Sequence, residues 1–264
     1  MTPKLIVARK ELLDASRDAR ALASSVCYAL MGPAVVALVS IATAARAGGD
    51  PQSTRAMLIG MMSVFTLVSI FVGGMNVAMD AVAGERERRS LLPLLLNPVT
   101  RLDVVVGKWL AVSAFATAGL LLNLCGFALV FAQTRFILPG GWQALPVLIV
   151  CGFGPLALLA GALELWVSTM CRGIKEAHTW LALLVFAPMG AGMFLVFVPQ
   201  AAARPLAKLA PMAGQQLQWS RWLRDGTHDP LQTLALGAIT LSVTAVVLLG
   251  AARLLERDDV VYGR

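Results

Sequence analysis

Apolar and polar positions along this chain are sorted into long blocks instead of alternating residue by residue. Six uncharged runs stand out, at 21–45, 56–79, 109–134, 136–163, 177–203 and 230–252. Each exceeds the roughly 18 residues that a helix needs to span a hydrocarbon core about 30 Å thick. The pattern predicts an all-α membrane protein with six transmembrane helices, at roughly 24–45, 56–79, 109–131, 145–169, 178–198 and 231–252. The first run is too long for the apolar core of a signal peptide, so it is read as a span.

Two further helical stretches are amphipathic. In PKLIVARKELLDASRDARAL, Leu5, Ala8, Leu12, Ala15, Ala19 and Leu22 recur every three or four residues, and charges fill most other positions. An interfacial helix is predicted over 1–23, apolar side against the membrane, with Arg9 and Arg20 snorkelling at its flanks. Between the last two spans, RPLAKLAPMAGQQLQWSRWLRDGTHDP is too long for a turn. Short helices are expected over 199–230 at the outer face, anchored at the interface by Trp219 and Trp222. No internal repeat or soluble domain interrupts the chain, so 1–264 reads as one transmembrane domain.

Charge gives the chain an orientation. Lysine and arginine are denser at the N-terminus, between spans 2 and 3, after span 4 and in the tail, where 15 of the 22 fall. The positive side of a membrane protein faces the cytoplasm, so both termini are expected there. Composition agrees, with 58% hydrophobic and 14% charged residues and a mean hydropathy of +0.75. The net charge of +7 sits in clusters beside the spans, so it encodes topology and argues against a nucleic-acid partner. Cys27, Cys125, Cys151 and Cys171 have neither metal-ligand nor redox spacing and are expected as buried thiols.

Enzyme chemistry finds little footing. Gly107-Lys108 lacks the G-x-x-x-x-G-K-[ST] context of a phosphate-binding loop, and His178 and His228 fall on opposite faces of the membrane, unlike H-E-x-x-H. Intramembrane serine catalysis would need a serine and a histidine or lysine at matching depth, and nothing in the sequence supports one strongly. An intramembrane hydrolase is therefore the rival from another class, with a passive channel or scaffold subunit behind it.

The segment GERERRSLLPLLLNPVTRLDVVVGKWLA (84–111) raises the sharpest question. Leaving Leu91, Leu92, Leu94, Leu95 and Leu96 in water forgoes about 1.5–3 kcal/mol for each that burial would stabilise. They press into the bilayer, pack on the protein's own helices, or enter a groove on a partner, where apolar anchors ringed by charges make binding hot spots. Pro93 and Pro98 exclude a long helix here and favour a short stiff one.

The order of these residues resembles the cytoplasmic loop of type-2 (export) ABC permeases. ARKELLDASRDARAL (8–22) is similar to that family's N-terminal interfacial segment. STMCRGIKEAHTW (168–180) and APMAGQQLQWSRWLRDG (210–226) resemble segments of its NatB-like sodium-extrusion branch. Cys171, His178 and Trp180 stand where alanine, glutamine and tyrosine are usual. The resemblance implies a permease subunit of an ATP-driven exporter in a bacterial cytoplasmic (inner) membrane, with sodium the leading substrate and a peptide, lipid or drug the rival. It implies a permease homodimer served by two copies of a separate ABC ATPase, which bind the ATP and Mg; this chain binds no cofactor itself. A coupling helix lies within 80–108. Glu85, Arg86, Glu87, Arg88 and Arg89 orient it, Leu91, Leu92, Leu94, Leu95, Pro98 and Arg101 complete the contact, and Arg172, Lys175 and Glu176 form a second one.

A path through the membrane has five candidate residues. Ser63, Thr66, Asn76 and Asp80 share one face of span 2, where the competing explanation is helix packing. Glu164 is the one acidic residue deep within a predicted span. It is read either as a cation or proton-linked group or as a carboxylate paired at the interface.

Overall fold

The computed structural model describes residues 2–44, 50–90, 93, 99–134, 139, 141–197 and 205–256. Among these all regular structure is helical. In chain order we number α1 (Pro3–Arg17), α2 (Ala19–Ala44), α3 (from Pro51), α4 (Arg101–Thr134), α5 (Leu145–Met170), α6 (Ile174–Phe197), α7 (Pro205–Leu209), α8 (Ala213–Asp225) and α9 (Pro230–Leu254). Beyond Ala78, α3 continues through a π turn, Met79–Gly84, and a last turn, Glu85–Glu87. Among the described residues, α2, α3, α4, α5 and α9 are long and apolar enough to cross a membrane. The expected span 178–198 falls on α6, a 24-residue helix that is not one of those five.

Caps explain why the helices outrun the apolar runs. Asp50 accepts from the backbone N–H of Gln52 and Ser53 and starts α3, and Asp229 does the same for α9 through Leu231 and Gln232. Thr100 accepts from the Asp103 N–H at 3.1 Å and donates to its carboxylate at 2.6 Å, opening α4. Each satisfies N–H groups that a helix start leaves without partners. The connection between α3 and α4 shrinks accordingly, because 80–87 is helix and not loop.

Asp18 corrects another boundary. It accepts from the N–H groups of Arg20 and Ala21, so it caps α2 and ends α1 at Arg17; 19–23 belong to α2 and not to the helix expected over 1–23. The packed face of α1 also differs from the hydrophobic pattern. Ala8 and Glu11 are its buried residues, and Gly107 of α4 lets Val7 and the Lys4 carbonyl approach closely. Leu5, Ile6 and Leu13 stay exposed.

Helix α3 is the centre of the bundle, touching α2, α4, α5, α6 and α8. At its crossing with α4, a Cβ on Gly73 would lie 2.9 Å from the Phe115 carbonyl, and one on Gly119 would lie 2.9 Å from that of Ser69. Small residues let membrane helices meet backbone to backbone, which replaces the hydrophobic drive that lipid removes. The outward faces carry exposed Leu38, Ile41, Leu129, Val150 and Val246, as lipid contact requires.

The two tryptophans of α8 are not interfacial anchors. Trp219 and Trp222 are buried and stack at a centroid distance of 4.9 Å, with Phe153 edge-on to Trp219 at 5.3 Å. Helix α8 folds back against α3, α5, α6 and α9, so its aromatic face becomes core. The thiols divide as well: Cys27 and Cys125 are exposed, Cys151 is half-buried and Cys171 is buried. Helix faces turned outward take small apolar side chains as readily as inward ones do. Burial pushes the Cys171 thiol up to about 11.

Candidate functional site

The charged end of the bundle gathers α1, the end of α3, the start of α4 and the α5–α6 turn. Its geometry begins with the termination of α3. The Ser90 N–H bonds to the Glu85 carbonyl at 2.9 Å and the Arg89 N–H to that of Arg86 at 3.0 Å. Arg89 takes a positive φ of 56°. This is a Schellman ending with arginine where glycine is usual, and it turns the chain off the α3 axis into 91–98.

Glu85 points inward. Its carboxylate meets Lys10 Nζ at 2.7 Å and Lys108 Nζ at 2.7 Å. Lys108 Nζ also donates to Glu11 Oε1 at 2.8 Å, and Lys10 Nζ reaches the same oxygen at 3.1 Å. The Lys108 side chain is 0% exposed, against 6% for Glu85 and 8% for Glu11. Two cations and two anions thus neutralise one another, three of them buried and Lys10 half-exposed at the rim, with Asp14 at 3.8 Å from Lys10 on the outer edge. Burial acts to lower the pKa of Lys10. The hydrogen bond to Glu85 and the charges of Glu11 and Glu85 outweigh it and hold the ammonium above the usual lysine range.

Arg86 and Glu87 reach the other way. Arg86 donates through Nη1 to the Cys171 carbonyl and through Nη2 to that of Thr169 at 2.9 Å. Those are the last carbonyls of α5, where a cation also meets the negative end of the helix dipole. Glu87 Oε2 accepts from the Ile174 N–H at 2.8 Å, at the positive start of α6. One residue of α3 therefore caps the end of α5 and the next caps the beginning of α6. Glu176 in turn accepts from the Arg172 N–H at 2.8 Å. The π turn contributes too, since the Ala83 N–H is satisfied from outside its helix by Ser168 Oγ at 3.2 Å.

The residues expected to orient the coupling segment consequently divide. Arg88 and Arg89 are exposed, with Arg88 paired to Asp80 at 2.7 Å, whereas Glu85 is buried and Arg86 half-buried. Arg172, Lys175 and Glu176 are exposed on the neighbouring turn, and Arg101 is half-buried at the start of α4. Leu91, Leu92, Leu94, Leu95 and Pro98 lie outside the described residues. Sequence reasoning missed the charge quartet, taking Lys10 and Lys108 as topology charges. The signal was present: Glu11 sits three residues after Ala8 and four before Ala15, on the apolar stripe of α1, where a lone acid demands a partner.

Of the path candidates, Ser63 and Thr66 are buried and donate to their own helix, to the Ile59 and Met62 carbonyls, each at 2.8 Å. Asn76 binds Ser24 Oγ at 2.9 Å and Ser25 Oγ at 3.1 Å, joining α3 to α2. Asn76 and Asp80 also border a crevice with Glu11, Asp14 and Asp18. Glu164 stands apart from them, 1% exposed on α5.

Compared with known sequences, residues 5–260 match the family described as ABC-2 family transporter protein. The chain is also similar to the ABC transporter permease protein NatB of Bacillus subtilis (strain 168), at 38% identity over 163 residues. That match covers 56% of this chain and 40% of NatB, so the chain spans well under half the length of this relative.

Proposed function

The chain belongs to the ABC-2 family of transporter proteins, and from that premise we propose that it is the permease half-unit of a sodium-exporting pump. In this reading α6 is the sixth span, both termini face the cytoplasm of a bacterial inner membrane, and two identical permease chains pair. Two copies of an ABC ATPase attach below, holding the ATP and Mg.

The observation that carries the reading is the double cap by Arg86 and Glu87. It binds the root of segment 88–100 to the turn 171–174, so two contacts for one ATPase move as a unit. Closure of the ATPase pair pulls on the leucine segment. Arg86 and Glu87 pass that displacement to the ends of α5 and α6, and the Glu85–Lys108 pair passes it to α4. Rigid helices and buried ion pairs transmit such a displacement because packed interfaces shift between discrete arrangements and do not deform continuously. Sodium as cargo is supported by the similarity to NatB and by the four segments that resemble its branch.

The test is co-purification with the ATPase followed by ATP-driven sodium movement in vesicles. Leu94→Asp with Leu95→Asp is expected to abolish association, since each buried leucine contributes about 1.5–3 kcal/mol. An intact complex with undiminished pumping would overturn the coupling assignment. ATP turnover without sodium movement would overturn the cargo.

A further inference from the structure

Among the described residues, Glu164 has neither a counter-charge nor a hydrogen bond. Both of its carboxylate oxygens are buried and unpartnered. It is the only charged residue of α5. Of the charged groups at the ends of the packed helices, Glu85 and Lys108 engage each other, Arg86 and Glu87 cap α5 and α6, and Arg253 stands near the end of α9. A carboxylate in that position is costly unless a proton or a cation neutralises it.

The carboxylate sits where α3, α4 and α5 come together. Glu164 Oε2 occupies the space that a side chain on Gly74 of α3 would fill. The same space is bordered by the Val112 carbonyl of α4, 3.1 Å from where that Cβ would stand. On the next residue of α4, Ser113 Oγ is buried without a partner. It lies against Gly161, where an added Cβ would come within 2.5 Å of it. Gly161 is three residues before Glu164 and shares its helix face. Elsewhere in the bundle, Ser63, Thr66 and Thr169 satisfy their hydroxyls on their own helix; Ser113 does not. Two unsatisfied oxygen groups, on α4 and α5, thus border the same three-helix contact beside a bare stretch of α3.

We propose that Glu164, with Ser113 beside it, is the intramembrane binding site for a monovalent cation of sodium's size. Hard oxygen ligands suit such an ion, and its charge cancels that of the carboxylate. This deepens the export reading and rests on it only for the direction of transport.

The experiment uses the intact permease–ATPase complex in lipid nanodiscs without ATP. A hydrophobic carbodiimide attaches to buried protonated carboxyls, and peptide mass spectrometry locates the adduct. We expect labelling at Glu164, suppressed by sodium chloride and not by choline chloride, with Ser113→Ala raising the sodium needed about tenfold. Independently, sodium should raise the thermal midpoint of the wild-type complex and leave that of Glu164→Gln unmoved. Labelling and melting that both ignore sodium would overturn the site. So would undiminished ATP-driven sodium movement by Glu164→Gln, leaving the export reading in place. Sodium protection without any sodium movement would do the reverse.

Discussion

Two regions of this bundle treat buried charge in opposite ways. At the charged end, Glu85 and Lys108 are enclosed together with Glu11, and each meets an opposite charge within 3 Å. About 16 Å further along α3, counting 1.5 Å per residue from Glu85 to Gly74, Glu164 is as deeply buried and meets none. The first arrangement is closed: its charges cancel internally, and its purpose is to hold α1, α3 and α4 in register. The second is open, because what balances it must come from outside the chain. Equal burial thus marks a frame in one place and a binding site in the other.

The contrast is most directly broken at Lys108. Lys108→Met leaves two buried carboxylates with only the half-exposed Lys10 to share and should cost about 3–5 kcal/mol, read as a large fall in the unfolding midpoint of the purified protein. Adding Glu85→Gln should recover part of that loss; strict additivity of the two changes would show that the quartet is not coupled. Arg86→Ala comes next, at about 1.5–3 kcal/mol, since it removes charge-assisted hydrogen bonds to the end of α5. Limited proteolysis of the α5–α6 turn should register it locally. Arg88→Ala removes a half-exposed pair with Asp80 and should cost less than about 1 kcal/mol. Glu164→Gln should cost least, because no partner is lost, while it removes the response to sodium. A fall in stability as large as that of Lys108→Met would place Glu164 in the frame.

Much of the fold is legible in uncharged runs, because a single segment satisfies all its backbone groups inside lipid only as a helix. The charge run 85–89 is less legible. As a string it reads as a solvated boundary, yet its five members face different neighbours. Helical rotation sends Glu85 toward α1 and α4, Arg86 toward the end of α5 and Glu87 toward the start of α6. Which residue is buried depends on where other helices end, and no local pattern encodes that. Trp219 and Trp222 make the same point. Aromatic residues in an amphipathic outer helix suggest an interface, but a helix folded back onto α3 and α5 turns that face into core.

The sequence by itself determined the membrane character, the helical class and the family. These follow from chain-local quantities: apolar run length and ordered motifs. Tertiary structure alone decided that Lys108 is neutralised, that Arg86 and Glu87 cap two other helices, and that Glu164 and Ser113 face each other's helices without partners. Burial and pairing are properties of distances between residues up to 97 positions apart, and only packing sets those distances.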